Sequence, residues 1–478
     1  MPVVPALRWA ERSGYGLDGP EVDRQLARGA LGFILFGGTA EAARAATAEL
    51  RARAGGPLVF GADLERGAGQ QFDGATSLPP LAALASLDDD EVLEAAGALT
   101  AREAGALGVS WIFAPVADLS LEPRNPIVGT RSPGADPQRV ARGVTAWMRG
   151  CSSQGGIPCV KHFPGHGRTT RDSHRTLPVV EVDAETLRSS DLVPFRAAVA
   201  AGVPSVMTAH VAYPALDPGG LPATRSRRIV RGLLREELGF DGIVVTDALI
   251  MEGVGSPEEA MAEALAAGVD VLLYPPADLD PGTAVYAAAA AREPEDIDRS
   301  SARIRHLLEV GSGPGEGGPV GTSEDRALAL GWALRSLRAS GPCDIGTTAE
   351  LTVIDDDLGG PWPPPLRDRF AGVLREEGVT VHPAEDGAPG SGGSRTPVLC
   401  LYAEPRGWKG RAGLSAEARA AVARWVARHG DAGRVVAFGG PPLLEEVPPG
   451  PSTLLAWGGE ALMQEAAARR LAAGEGAP

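Results

Sequence analysis

Short apolar runs alternate with longer stretches of helical periodicity through roughly the first two thirds of the chain. The strand-like runs are Pro5–Trp9, Gly32–Phe36, Pro57–Gly61, Trp111–Pro115, Pro158–Lys161, Ser205–Ala209, Gly242–Thr246 and Val269–Leu273. They are continuously apolar rather than alternating, as parallel strands covered on both faces are. Helical patterns lie between them at Ala40–Ala54, Asp89–Ala104, Pro137–Gly150, Ala184–Ala201 and Ser256–Ala267. In the last, Ser256 is placed to cap the helix and Pro257 to open it. Eight strand units in this order predict an α/β fold, a (β/α)8 TIM-like barrel over residues 1–310.

The pattern breaks at residues 311–322, GSGPGEGGPVGT, whose glycines and prolines predict a linker or a long surface loop. A helix is expected to start near Ser323, with Glu324 and Asp325 in its first turn. Residues 323–478 then carry a smaller α/β sandwich domain. Its strands are expected at Leu351–Ile354, Val398–Tyr402, Val435–Phe438 and Leu454–Trp457, and its helices near Leu366–Glu377, Ala416–Arg428 and Glu460–Ala473. Gly387–Ser394 reads as a surface loop and GWKGRAG, with Trp408 and Lys409, as another.

Composition narrows the function classes. The formal net charge is −16, which repels phosphate backbones and argues against nucleic acid and an anionic membrane surface as partners. Met1–Gly14 is interrupted by Arg8, Glu11 and Arg12 and does not read as a signal peptide. The most apolar stretch, Ala197–Leu216, contains Pro204, His210 and Pro214 and does not read as a membrane span. Cys151, Cys159, Cys343 and Cys400 form no dense framework and no CxxC pair, which fits a reducing cytoplasm. The oligomeric state has no signature in the sequence.

Catalytic groups of such barrels sit at the carboxyl ends of the strands. Five predicted strands end in ionisable residues: Asp63 and Glu65, Asp118, Lys161 and His162, His210, and Asp247. Aspartate often caps a following helix, but lysine and histidine do not, so capping alone does not account for the set.

The segment KHFPGHGRTTRDSH, Lys161–His174, holds three of the seven histidines of the chain. Three readings compete. It is a solvated loop, a metal site built on His162 and His166, or an acid–base loop built on Asp172 and His174. The metal reading needs a helix to bring positions four apart to one face, and Pro164 and Gly165 oppose one. In the third reading the Asp172 carboxylate fixes the tautomer of His174 and favours its imidazolium form, as a neutral-pH proton donor requires. Gly165, Gly167 and Ser173 supply the freedom for such a loop to close over a substrate.

Taken together, these residues resemble glycoside hydrolase family 3, and within it the β-N-acetylglucosaminidases. KHFPGHG followed by DSH resembles that subgroup's signature. ADLERGAGQQF at Ala62–Phe72, APVADL at Ala114–Leu119, GTRS at Gly129–Ser132 and LREELGFDGIVVTDALIM at Leu234–Met251 resemble family motifs in the family's order. The resemblance implies Asp247 as nucleophile, His174 as acid/base and Asp172 as its orienting partner. It implies that Asp63, Arg131, Lys161 and His162 bind the terminal sugar, with His210 close to it. It implies a carbohydrate substrate with a terminal β-linked N-acetylglucosamine, a retaining double displacement, and neither cofactor nor metal. Arg66 and Ala68 depart from the family motif, which has glycine and arginine at these places.

A family 3 β-glucosidase or β-xylosidase is the nearest rival, and the DSH motif opposes it. A phosphorylase is the second, because a neutral histidine does not repel a phosphate acceptor as a carboxylate does. A silent sugar-binding protein would be expected to lack Asp247 or His174, and a metal-dependent hydrolase would need more ligands at the strand ends.

Overall fold

The computed structural model describes residues 1–171, 176–277, 279–313, 317–359, 366–384 and 395–474. Asp172 and His174 lie outside the described residues, as does the Gly387–Ser394 loop. The chain divides into two compact units. One is Met1–Ser77, Asp89–Glu122 and Ser132–Arg326; the other is Leu78–Asp88, Pro123–Arg131 and Ala327–Pro478.

In the first unit the opening strand comes in two pieces, β1 (Val3–Val4) and β2 (Ala6–Arg8), separated by Pro5. Proline has no N–H to give to a ladder, yet its carbonyl still accepts from the Ile34 amide, so the two pieces act as one stave. Then follow β3 (Gly32–Phe36), β4 (Val59–Ala62), β5 (Trp111–Ile112), β6 (Ile157–Phe163), β7 (Ser205–Thr208), β8 (Ile243–Thr246) and β9 (Leu272–Leu273). β2 to β8 pair in sequence order, each parallel to the next. Val245 bridges to Val271, and β9 pairs in parallel with β1. The ring therefore closes on eight staves, the predicted barrel. Val4, Ile34, Val59, Trp111, Phe113, Met207, Val245 and Val271 belong to one of its buried clusters.

The predicted helices appear at Ala40–Arg53, Asp90–Ala106, Pro137–Ser153 and Pro257–Ala267. Ser256 caps the last, its side chain accepting from the Glu259 amide. The expected helix Ala184–Ala201 is broken: Ala184–Thr186 leads into a wider π turn at Leu187–Asp191, and Pro194 opens a second helix, Val193–Ala200. Two helices without a prediction, Pro281–Ala290 and Pro294–Gly311, follow β9. Within the Gly/Pro-rich segment, the Gly318 carbonyl accepts from Arg44 and the Gly321 amide donates to the buried Glu103 carboxylate at 2.7 Å.

The second unit is a six-stranded sheet of β10 (Arg338–Ser340), β11 (Thr348–Asp355), β12 (Thr380–Pro383), β13 (Thr396–Tyr402), β14 (Arg434–Phe438) and β15 (Ser452–Leu455). The spatial order is β10-β15-β14-β13-β11-β12, parallel throughout except for β10. Its helices include Arg369–Glu376, Ala416–His429 and Ala461–Ala473, and Phe370, Val398, Val422, Val436 and Met463 are buried in its core. Lys409, in the GWKGRAG segment, is buried and paired with Asp357 at 2.9 Å. All four cysteines are buried. Among the described residues no helix is long and apolar enough to cross a membrane.

Candidate active site

The carboxyl ends of β4, β5, β6 and β8 bring Asp63, Glu65, Asp118, Lys161, His162 and Asp247 together. Lys161 is almost wholly buried in β6, and its ammonium lies 2.7 Å from Asp63 Oδ1 and 2.7 Å from Glu65 Oε1. A buried ammonium needs such partners, since removing it from water unpaired costs several kcal/mol. Asp63 keeps 31% side-chain exposure, against 7% for Glu65. Of the two carboxylates, Asp63 is thus the one open to solvent.

His162, the next residue, is oriented from behind. Asp118 is fully buried, and its Oδ2 lies 2.7 Å from His162 Nδ1. The other oxygen, Oδ1, accepts from the backbone amides of His162 at 3.1 Å and His166 at 2.6 Å. Burial by itself pushes this carboxyl up; the charge and hydrogen bond of His162, with His166, outweigh it and hold the group below its ordinary value. An ionised Asp118 makes Nδ1–H the donor, and His162 Nε2 lies 4.0 Å from Asp247 Oδ2.

Asp247 follows β8 directly. Its amide donates to the Thr208 carbonyl, and its Oδ1 accepts from the Ala248 amide at 2.7 Å. These bonds aim the carboxylate, 21% exposed, along the strand end. His210 is buried behind the same turn. Thr224 Oγ1 lies 2.8 Å from its Nδ1, and its Nε2 donates to the Ala248 carbonyl at 3.2 Å. His210 is therefore tied to the turn that carries the carboxylate.

The segment leading to Asp172 and His174 is anchored where it is described. The His166 ring is buried against Thr169 Oγ1 at 2.8 Å and lies edge-on to His162 at a centroid distance of 6.0 Å. Burial lowers the His166 pKa to about 4, so the ring is neutral near pH 7. A Cβ on Gly167 would stand 1.7 Å from the Leu119 carbonyl oxygen, a contact only glycine permits. Arg168 pairs with the buried Asp191 at 2.9 Å, and the Val180 amide donates to the Ala212 carbonyl. Arg131 belongs to the second unit, where its Nη1 donates to the Ile127 carbonyl at 3.3 Å.

Two members of this cluster had no role in the sequence reading, Asp118 and Glu65. Both stand at predicted strand ends, but their partners lie far along the chain, Asp118 being 44 residues from His162. Only the barrel closes that distance.

The model of the glycosyl hydrolase family 3 N-terminal domain matches residues 26–307, more than half of the chain. The chain belongs to glycosyl hydrolase family 3. A solved family 3 β-N-acetylglucosaminidase from Paenibacillus sp. str. FPU-7 is similar with a TM-score of 0.83 at 27% identity, covering 99% of this chain and 95% of that one. A β-N-acetylglucosaminidase/β-glucosidase of Cellulomonas fimi is 37% identical over 293 residues, 58% of this chain and 51% of that protein. A β-hexosaminidase of Thiobacillus denitrificans is 40% identical over 235 residues, 47% of this chain and 65% of that protein. The chain thus spans from about half to just under two thirds of the length of these two curated relatives.

Proposed function

We propose that this family 3 protein is a retaining, exo-acting β-N-acetylglucosaminidase. The observation that carries the reading is the strand-end cluster itself. A partly exposed Asp63 and a buried Glu65, the buried lysine they share and an oriented histidine stand with Asp247, and the chain continues from that cluster into the Asp-Ser-His motif at 172–174. The similarity to enzymes named for β-N-acetylglucosaminide or β-hexosaminide hydrolysis supports the choice of sugar.

In the first step the Asp247 carboxylate attacks the anomeric carbon. The glycosidic C–O bond breaks, and imidazolium His174, oriented by Asp172, gives its proton to the departing oxygen. In the second step neutral His174 takes a proton from water as the water oxygen displaces Asp247. Two inversions retain the β configuration. Asp63, Lys161, His162 and Arg131 bind the ring hydroxyls, with bonds that tighten as oxocarbenium character develops. His210 and Asp118 are positioning residues, holding the Asp247 turn and the His162 ring. The substrate class is a peptidoglycan fragment or a chitin oligosaccharide ending in β-linked N-acetylglucosamine, processed in the cytoplasm.

The test is chromophore release from paired aryl β-N-acetylglucosaminide and β-glucoside substrates, with and without added phosphate. Turnover of the acetamido sugar, abolished in folded Asp247→Ala, is expected. Preference for the glucoside overturns the choice of sugar while leaving Asp247 in place. Formation of a sugar 1-phosphate makes the enzyme a phosphorylase.

A further inference from the structure

A polar cavity lies at the end of the barrel opposite the strand-end cluster, where β8 and β9 begin. It encloses about 340 Å³ and is lined by Gly239, Phe240, Asp241 and Gly268 at the strand entrances. Six arginines face it: Arg227, Arg231, Arg235, Arg292, Arg299 and Arg303. In a chain of net charge −16 such a concentration of positive charge is out of character.

The carboxylates present engage four of the six. Arg231 pairs with Glu236 at 2.9 Å and also with Asp296. Arg299 shares Asp296 at 3.1 Å. Arg303 pairs with Asp241, and both it and Arg235 reach the fully buried Asp270 beneath the floor. Among the described residues no carboxylate stands within ion-pair distance of Arg227 or Arg292. Arg227 donates to the Ala266 carbonyl at 3.4 Å, and Arg292 to the Asp296 carbonyl at 2.9 Å. A guanidinium carries five N–H donors, so most of theirs remain for a ligand. Burial lowers the Arg292 pKa; Asp270 and Asp296 oppose it, and Arg303 and Arg227 add to it.

We propose that this cavity is a binding site for the phosphate group of a small ligand, separate from the sugar site. Planar guanidinium forks match phosphate oxygens in pairs, and two or more forks around one tetrahedral anion satisfy it from several sides. The volume falls within the range of small-molecule sites, ~300–1,000 Å³. The negative charge of the rest of the molecule opposes a long polyanion, which leaves a compact one: inorganic phosphate, pyrophosphate or a phosphate monoester. Arg227, which caps the π-helical stretch Arg228–Glu237, and Arg231 and Arg235 within it recur every fourth residue, so one element and its cap supply half of the forks.

The experiment is isothermal titration of the full chain with inorganic phosphate, pyrophosphate and glycerol phosphate, at low and raised salt. One site per chain is expected for at least one probe, with affinity falling as salt rises. The double change Arg227→Ala and Arg292→Ala is expected to weaken binding at least about tenfold, in line with lost charge-assisted bonds, and to leave glycoside turnover unchanged. Arg227→Ala alone, at an exposed position, gives a smaller loss in the same direction without endangering the fold. Preference for inorganic phosphate identifies the free ion as the ligand, and preference for glycerol phosphate identifies an ester. No binding by the unmodified chain up to about 10 mM, or equal binding by the double variant, overturns the proposal. So does a probe displaced by N-acetylglucosamine but indifferent to the arginine changes, which would place it at the other end of the barrel.

Discussion

Asp118 is the most exacting test of the site's construction. Its carboxylate is fully buried and accepts from at least three donors: His162 Nδ1 at 2.7 Å, the His162 amide at 3.1 Å and the His166 amide at 2.6 Å. Asp118→Ala strands all three. Each buried donor left unsatisfied costs about 1–3 kcal/mol, so a loss of roughly 3–9 kcal/mol is expected. That is a large share of a typical total of about 5–15 kcal/mol. Asp118→Asn is milder and more informative. Its carbonyl oxygen can still accept from the two backbone amides, but its NH2 then faces a ring nitrogen that carries a proton. His162 must turn or change tautomer, losing a charge-assisted bond of about 1.5–3 kcal/mol. If that orientation serves the transition state, kcat/KM falls by roughly ten- to a hundredfold. The assay is chromophore release from the aryl β-N-acetylglucosaminide, with urea denaturation of the same preparations. An Asp118→Asn protein with unaltered kcat/KM, or an Asp118→Ala protein as stable as the parent, would refute the reasoning.

Other consequences follow from the same geometry. The folded-state pKa of His166 is about 4, against an unfolded value of about 6.5. Between these the unfolded chain binds a proton that the folded chain excludes, so stability rises with pH across this window and falls on acidification. The contribution is about 3 kcal/mol, and urea unfolding from pH 4 to pH 7 should show a slope that His166→Gln flattens. Asp118, held below its ordinary value, acts lower down: its stabilisation is present above the unfolded carboxylate pKa of about 3.9 and disappears as pH falls through the folded one. Gly167→Ala places a carbon 1.7 Å from the Leu119 carbonyl; a lowered melting temperature and reduced turnover are expected, and a silent substitution would show that the segment does not approach Leu119. Glu65→Gln leaves Lys161 with Asp63 as its charged partner there; a loss of roughly tenfold in kcat/KM is expected, and unchanged kinetics would remove Glu65 from the site.

The local order of residues was enough to read the barrel, its strand ends and the polar groups they carry. Strands such as β3 and β8 are short, apolar and bounded by glycine, and a buried parallel strand needs little more. The motifs around Asp63, Lys161 and Asp247 are contiguous, so their chemistry is written in neighbouring letters. What failed to show is non-local or weakly patterned. The edge strands Arg338–Ser340 and Thr380–Pro383 carry exposed residues and no apolar run, because one side of each has no neighbour to bury it against. The helix Pro294–Gly311 has only three buried residues, too few for a legible stripe. Residues 78–88 and 123–131 lie inside the barrel's span of sequence, yet they belong to the second unit, a matter of packing and not of order. Asp118 could be seen at a strand end, but its role depends on His162 arriving from the adjacent strand. The sequence by itself determined which chemical groups stand at the barrel's rim. Only the tertiary structure decided which of them face one another, because the closing of the sheet sets distances between residues that the chain keeps far apart.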